Sequence, residues 1–294
     1  MIPPVSMEPD WADLARRALA EDDARHDVTT ALLGSRADCP VKGALVTEAP
    51  VVVAGLPVVD AVLKALDVEC RVECRIGDGD RARPGQALAV VRAPARALLA
   101  GERVILNVLQ HLSGIATVTQ QAVDAVVGTG AVITDTRKTT PGLRAAEKYA
   151  VRMGGGTNHR FSLGDAVLWK DNHWVLLEGA ERTLAECVEA AGDLPMMVEV
   201  ETSEQLDAAL AAGVHHLLLD NRSPATIRAW RERIGPDIVV EASGGIRPEE
   251  AGDYARAGAD RISLGALTHS APAAPIRLDV IIPSGMTDSG PGPA

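Results

Sequence analysis

Hydrophobic and polar positions follow two rhythms along this chain, and the change comes near residue 130. Before it, WADLARRALAED and PVVDAVLKALD space their apolar residues as amphipathic helices do. Between them, DVTTALL and VKGALVTEAPVVVAGL carry β-branched runs punctuated by Gly and Pro, which predict strands. VECRVECRIGDGDRARPGQALAVVRA predicts a hairpin that turns at GDGD. Helices and strands thus mix without a repeating unit up to about residue 100, as in an α+β domain. In GERVILNVLQHLSGIATVTQQAVDAV, Val104, Ile105, Val108, Leu109 and Leu112 share one helical face. Arg103, Asn107, Gln110 and His111 share the other, which by spacing alone reads as a solvated face.

Beyond residue 130, short apolar runs end in polar clusters: AVITDTRKTT, AVLWKDNH, MMVEVET, HHLLLDN, IVVEASGGI and RISLGALTHS. Helix-like segments such as SEQLDAALAAG and RPEEAGDYARAGA separate the later ones. Near-continuous apolar strands alternating with helices predict a parallel sheet buried on both faces. The number and shortness of the units fit a β/α barrel better than an open sheet. Barrel chemistry gathers at the C-terminal ends of the strands, which is where the polar clusters fall.

Composition refines this in a few places. A chain of 294 residues suits one large or two medium domains, and 47% hydrophobic residues supply ample core. Aromatics are only 2%, so the packing must rest on Val, Leu, Ile and Ala. A formal net charge of -11 argues against a nucleic-acid-binding surface. Cys39, Cys70, Cys74 and Cys187 show no zinc spacing and are expected to be reduced, mostly buried thiols. MIPPVSMEPD lacks the regions of a signal peptide, and VVVAGLPVVDAVLKAL is broken by Gly55, Pro57 and Asp60. A soluble, cytoplasmic protein with no membrane partner is therefore expected, and the tail SGMTDSGPGPA is expected to be disordered.

Against that acidic background the cations of the second half stand out. Arg137 and Lys138 close one apolar run, His159 and Arg160 follow MGGGTNHR, and Lys170 ends another run. Like charges collected at one end of a barrel cost stability unless an anion offsets them, so they point to a strongly anionic ligand. Arginine forks suit carboxylate or phosphate, and lysine adds a point charge. Gly154, Gly155 and Gly156 make the loop before His159 either mobile or closely packed.

Glu199 and Glu201 flank Val200, and one of the two is expected to face the interior. With Asp220 it could hold a magnesium ion or sugar hydroxyls, or pair with the cations. Ser243, Gly244 and Gly245 precede RPEE and could present amides to a phosphate, as could Ser263 and Gly265 in SLGAL. No P-loop, nucleophile elbow or strand–GxGxxG–helix unit is present. The residues alone point to a β/α-barrel enzyme for a phosphorylated, polyanionic substrate.

DTRKTTPGLRAAEKYAVRMGGGTNHR, LWKDNH, VEVET, LLLDN, EASGGI and SLGALTHS together resemble the quinolinate phosphoribosyltransferase family. DVTT and GERVILNVLQHLSGIAT extend the resemblance over nearly the whole chain. It implies an α/β fold, with an N-terminal α/β (α+β) sandwich over 1–114 and an incomplete seven-stranded parallel β/α barrel over 115–270. The segment 271–283, containing IRLDVII, would return to the first domain, leaving 284–294 as the tail.

The implied reaction joins quinolinate to phosphoribosyl pyrophosphate (PRPP), giving nicotinate mononucleotide, pyrophosphate and carbon dioxide, with Mg2+ as cofactor. By resemblance, Arg103, Arg137, His159, Arg160 and Lys170 would bind quinolinate. Thr136, Lys138, Glu199, Asp220, Ser243, Gly244, Gly245, Ser263, Leu264 and Gly265 would bind PRPP. Glu199 and Asp220 would hold the metal directly or indirectly, and Lys138, Lys170, Glu199 and Asp220 would be catalytic. The family lends the residue matching Arg103 across a subunit interface, so a homodimer or a higher oligomer is implied. Phe161, Ser162 and Trp169 depart from the family's usual residues, which bears on pocket shape.

Rivals are an enzyme of the same fold that takes nicotinate, a molybdenum-transport-associated paralogue, and a non-catalytic sensor. The grouping of Arg137, Arg160, His159 and Arg103 favours a dicarboxylate, and a sensor should have lost Glu199, Asp220 or a lysine.

Overall fold

A computed structural model describes residues 7–66 and 68–281. The chain forms two units, one from Glu8–Thr117 with the segment from Pro272 onward, the other from Val118–Ala271. The tail 284–294 lies outside the described residues.

In the first unit, the Asp10 side chain accepts the Asp13 amide at 2.8 Å and starts α1, Trp11–Glu21. DVTTALL is not a strand: α2 is the helical turn Val28–Ala31. Asp27 accepts the amides of Thr29 and Thr30, each at 3.0 Å, so capping overrides the β-branched content. The elements that follow are β1 (Pro40–Thr47), β2 (Val51–Val52), α3 (Pro57–Ala65), β3 (Arg71–Cys74), β4 (Arg81–Ala82) and β5 (Ala87–Pro94). The long helix α4, Ala95–Ala125, completes this part of the chain.

The main sheet is antiparallel, in the order Ile276–Ile281, β1, β5, β3, while β2 pairs with β4 apart from it. GDGD is therefore not a simple hairpin turn. β3 pairs with β5 from Arg71↔Arg92, and the connection between them detours through β4. Asp78 instead accepts the amides of Gly55 at 2.8 Å and Leu56 at 3.1 Å, at the start of α3. Leu63, Leu88, Val91, Leu98, Ile105 and Leu109 are fully buried, an aliphatic core as the composition requires.

The polar stripe of α4 divides. Arg103 and Asn107 are exposed, but Gln110 donates to the Ile276 carbonyl at 2.6 Å and accepts the Ala274 amide at 2.8 Å. It thereby ties down the returning segment.

The second unit contains β6 (Val132–Thr134), α5 (Arg144–Met153), β7 (Val167–Trp169), α6 (Asp171–Leu177), α7 (Leu184–Ala191) and β8 (Met196–Val200). Then come α8 (Ser203–Ala211), β9 (His216–Asp220), α9 (Pro224–Ile234), β10 (Val239–Ser243), α10 (Ala251–Arg256), β11 (Arg261–Ser263) and α11 (Ala266–His269). Six parallel strands pair in the order β6-β11-β10-β9-β8-β7. A seventh place is marked only by a single bridge, Thr157 to Thr134, on the free side of β6. The barrel is thus incomplete between Thr157 and β7.

Among the described residues no helix is long and apolar enough to cross a membrane. All four cysteines are free, but Cys74 is exposed and the others are half-buried, so they are less buried than composition suggested.

Candidate active site

A cleft of about 610 Å³ opens at the C-terminal ends of the barrel strands. It is lined by Thr136, Arg137, Lys138, His159, Arg160, Lys170, Glu199, Glu201, Asp220, Ser243 and Ser263, among others. Strand register explains the convergence. Ser243 lies beside Asp220 on β9 and Ser263 on β11, and Glu241 lies beside Leu218 and Arg261 one pleat below. Arg103 is not among the lining residues; it is an exposed residue of α4.

Arg137 is half-buried, and its Nε has no hydrogen-bond partner, although it is enclosed. Arg160 is 5% exposed and donates to the Ala166 carbonyl at 2.9 Å. Burial, and then the neighbouring Arg137, draws the Arg160 guanidinium below its usual pKa. Two cations held this way, one with an unspent donor, form an anion-binding wall. Lys138 is exposed, and its stem crosses Gly265 so closely that a Cβ there would sit 2.9 Å from Lys138 Cδ.

A buried cluster sets this wall in place. Asp135 is completely buried and accepts the His159 amide at 2.8 Å, Asn158 Nδ2 at 2.6 Å and Lys148 Nζ. Lys148, also completely buried, donates to the His159 carbonyl at 3.0 Å and lies 5.5 Å over the Phe161 ring. Burial pushes Asp135 up against the pull of Lys148, and burial lowers Lys148 in turn. The glycine loop is closely packed: a Cβ on Gly156 would stand 2.7 Å from Val151 and 2.8 Å from Thr119. Sequence reasoning missed Asp135, Lys148 and Asn158 as site-builders. The available signal was an acid directly beside the Arg-Lys pair at a strand end.

The acids correct one expectation. Both Glu199, on β8, and Glu201, just past its end, line the cleft, since positions two apart along a strand direction fall on one side. Glu199, Glu201 and Asp220 each offer an oxygen within 4.8 Å of the others. Lys170 Nζ meets Glu199 Oε2 at 3.1 Å, and Trp174 Nε1 donates to the Glu199 carbonyl at 2.8 Å. Burial raises the Glu199 pKa; Lys170 opposes the shift, while Asp220 and Asp171 add to it. Asp220 itself accepts Asn221 Nδ2 at 2.5 Å.

The glycine turns differ from each other. Gly244 and Gly245 have φ of +94° and +62°, and a Cβ on Gly244 would lie 2.3 Å from Asn221 Oδ1. ASGGI leads into a short 3-10 turn, Pro248–Glu250, before α10. In the second turn, Leu264 is buried and donates its amide to the Thr134 carbonyl at 2.9 Å. The Ser263 hydroxyl points inward, to Glu241 and, at 2.6 Å, to the Thr134 hydroxyl. Ser263 still lines the cleft, but its hydroxyl is engaged within the protein.

Glu241 was not anticipated either. It is completely buried, with His159 Nε2 at 3.2 Å and His216 Nε2 at 2.8 Å. Burial opposes its ionisation, but His159 and His216 outweigh that and hold its pKa well below the usual carboxylate range. Phe161, Ser162 and Trp169 do not line the cleft. Trp169 packs against His173 and Trp174 at ring separations of 5.4 and 6.4 Å, and Ser162 Oγ donates to Asp165 at 2.7 Å.

The geometry has close relatives. Models of the quinolinate phosphoribosyl transferase N-terminal and C-terminal domains match residues 27–113 and 115–279. A nicotinate-nucleotide pyrophosphorylase [carboxylating] of Mycobacterium leprae is 45% identical over 283 residues, covering 91% of this chain and 96% of that one. A probable enzyme of the same name from Bacillus subtilis is 40% identical, covering 89% of this chain and 90% of that one. The crystal structure of nicotinate-nucleotide pyrophosphorylase from Ehrlichia chaffeensis superposes with a TM-score of 0.86 at 34% identity, covering 94% of this chain and all of that one. Fold, site and sequence agree: the chain belongs to the quinolinate phosphoribosyltransferase family.

Proposed function

We propose that the cationic wall of the cleft grips the two carboxylates of quinolinate while the acids and the Ser243–Gly245 turn hold PRPP. The activity is the family's: phosphoribosyl transfer from PRPP to quinolinate with decarboxylation, yielding nicotinate mononucleotide, pyrophosphate and carbon dioxide in NAD biosynthesis. One observation carries the residue-level reading. The neighbouring Arg137 and Arg160 line the same cleft as three converging carboxylates, so one cleft offers groups for an anion and for a cation.

In this reading Arg137, His159, Arg160 and Lys170 face quinolinate, and Arg103 is supplied by a second copy of the chain in a homodimer or larger assembly. Thr136, Lys138, Ser243, Gly244, Gly245, Leu264 and Gly265 surround PRPP. Its negative charge and that of quinolinate meet only because the wall offsets their repulsion. Three carboxylate oxygens within 4.8 Å are a donor set that suits a hard divalent cation, so Glu199, Glu201 and Asp220 would hold Mg2+. When bound, Mg2+ would neutralise developing charge on the pyrophosphate. Departure of pyrophosphate leaves an oxocarbenium-like anomeric carbon, and the pyridine nitrogen, held in line by the wall, adds to it.

Glu199 and Asp220 lie where they can stabilise that positive charge. The pyridinium then accepts the electron pair left by the departing 2-carboxylate, and the ring carbon takes up a proton, for which Lys138 and Lys170 are the candidate donors. No nucleophilic side chain is needed. Free cysteines and the acidic balance support a cytoplasmic setting. Pyrophosphate and mononucleotide formation from PRPP and quinolinate, followed with and without magnesium, tests the reading. Product without added divalent cation would remove the metal role.

A further inference from the structure

Two helices each take hold of the tip of β8. From α6, Trp174 Nε1 donates to the Glu199 carbonyl at 2.8 Å. From α8, Gln205 Oε1 accepts the Glu201 amide at 2.7 Å and the Thr202 amide at 3.3 Å. Only Val200 separates the two held acids. β7 pairs with β8 no further than Trp169↔Val198, so Glu199 lies one residue past the end of that ladder. There the indole N–H gives a backbone carbonyl its donor.

The indole is itself held. Its ring meets Trp169 edge-on, with centroids 6.4 Å apart and planes at 79°. The Trp174 amide donates to the Lys170 carbonyl at 3.2 Å, and the Lys170 amide donates to His173 Nδ1 at 2.9 Å. Lys170 Nζ reaches the Glu199 carboxylate at 3.1 Å. The start of α6 therefore grips Glu199 twice, by its side chain and by its backbone.

We propose that Trp174 and Gln205 are positioning residues that fix the backbone of Glu199 and Glu201, so that their carboxylates already converge with Asp220 before a cation or PRPP arrives. The inference rests on the reading of these acids as the groups that hold Mg2+ and PRPP. Three carboxylates with oxygens within 4.8 Å of one another repel, and a tip free to relax would let them part. A held tip keeps them together in advance of binding, which lowers the reorganisation that a ligand must overcome. Asp220 has a holding partner of its own in Asn221 Nδ2. Neither Trp174 nor Gln205 lines the cleft, so each acts through the acids and not on the ligand.

Two substitutions test this in the full-length protein. Trp174→Phe keeps an aromatic ring against Trp169 and loses the N–H; Gln205→Met keeps the length and loses the acceptor. Electron paramagnetic resonance of free Mn2+, added to metal-free protein, reads cation affinity without turnover. Each variant should bind Mn2+ about threefold to tenfold more weakly, the loss expected for one hydrogen bond. The PRPP KM should rise by a similar factor while the quinolinate KM stays within about twofold.

If neither the unaltered protein nor the variants bind Mn2+, yet the PRPP KM still rises alone, the positioning role stands and the metal assignment falls. A variant with unchanged Mn2+ affinity and unchanged PRPP KM overturns the role of its residue. Equal rises in KM for both substrates, the mark of a merely structural loss, overturn it as well.

Discussion

Lys170 and Glu199 meet at 3.1 Å across neighbouring strand ends, joining the cationic and acidic halves of the cleft. Lys170 opposes the rise that burial imposes on Glu199. Lys170→Met should therefore move the Glu199 carboxyl titration to higher pH in metal-free protein, read by carbon-13 NMR. An unmoved titration would separate the two residues.

Removal of either wall arginine should act on quinolinate. A charge-assisted hydrogen bond contributes about 1.5–3 kcal/mol, so Arg137→Ala or Arg160→Ala should raise the quinolinate KM roughly tenfold to a hundredfold. Steady-state kinetics with PRPP saturating would show it, and an unchanged KM would take the residue off the wall.

Asp220 lies among the converging acids of the cleft. Asp220→Asn keeps its size and the contact with Asn221 but loses the charge. Turnover should fall at least about tenfold while quinolinate binding stays within about twofold. A wild-type rate would refute the assigned role.

Gly244 has φ +94° and no room for a Cβ beside Asn221. Gly244→Ala should cost about 1–3 kcal/mol of local strain and raise the PRPP KM more than the quinolinate KM. Equal effects on both would place the turn outside the phosphate-binding half.

Lys148→Met should destabilise the protein by about 3–5 kcal/mol, since it leaves Asp135 buried without its cation. The pH dependence has a definite sign. Burial already raises Asp135 above the usual carboxylate range, and the variant loses the group that pulls it down. A folded carboxyl with a raised pKa binds more protons than the unfolded one, so the variant loses stability as pH rises through that window. Thermal melts from mildly acidic to neutral pH should show the deficit growing. A constant deficit would contradict the pairing.

Much of this architecture was legible in the apolar runs that end in polar clusters. A strand buried on both faces must be apolar along its length, and only its tip can carry chemistry. That logic located Arg137, Lys170, Glu199, Asp220 and Ser243. It misplaced Glu201 through a mistaken use of the two-residue period, and it read DVTT as a strand because Asp27 capping outweighs β-branched content.

The buried polar layer was not legible. Glu241 meets His159, His216 and Ser263, and Asp135 meets Lys148 and Asn158, only once strand register and loop path are set. A single acid within an apolar run gives no sign of which distant partner will neutralise it. The inward partners of the Ser263 hydroxyl were hidden for the same reason, because they lie on other strands.

The decisive measurement uses quinolinate labelled at the 2-carboxylate, with PRPP and magnesium, following carbon dioxide and mononucleotide together and offering nicotinate in parallel. The dicarboxylate wall predicts equal release of both products and no reaction with nicotinate. Mononucleotide formed from nicotinate instead of quinolinate, or no product from either, would contradict it.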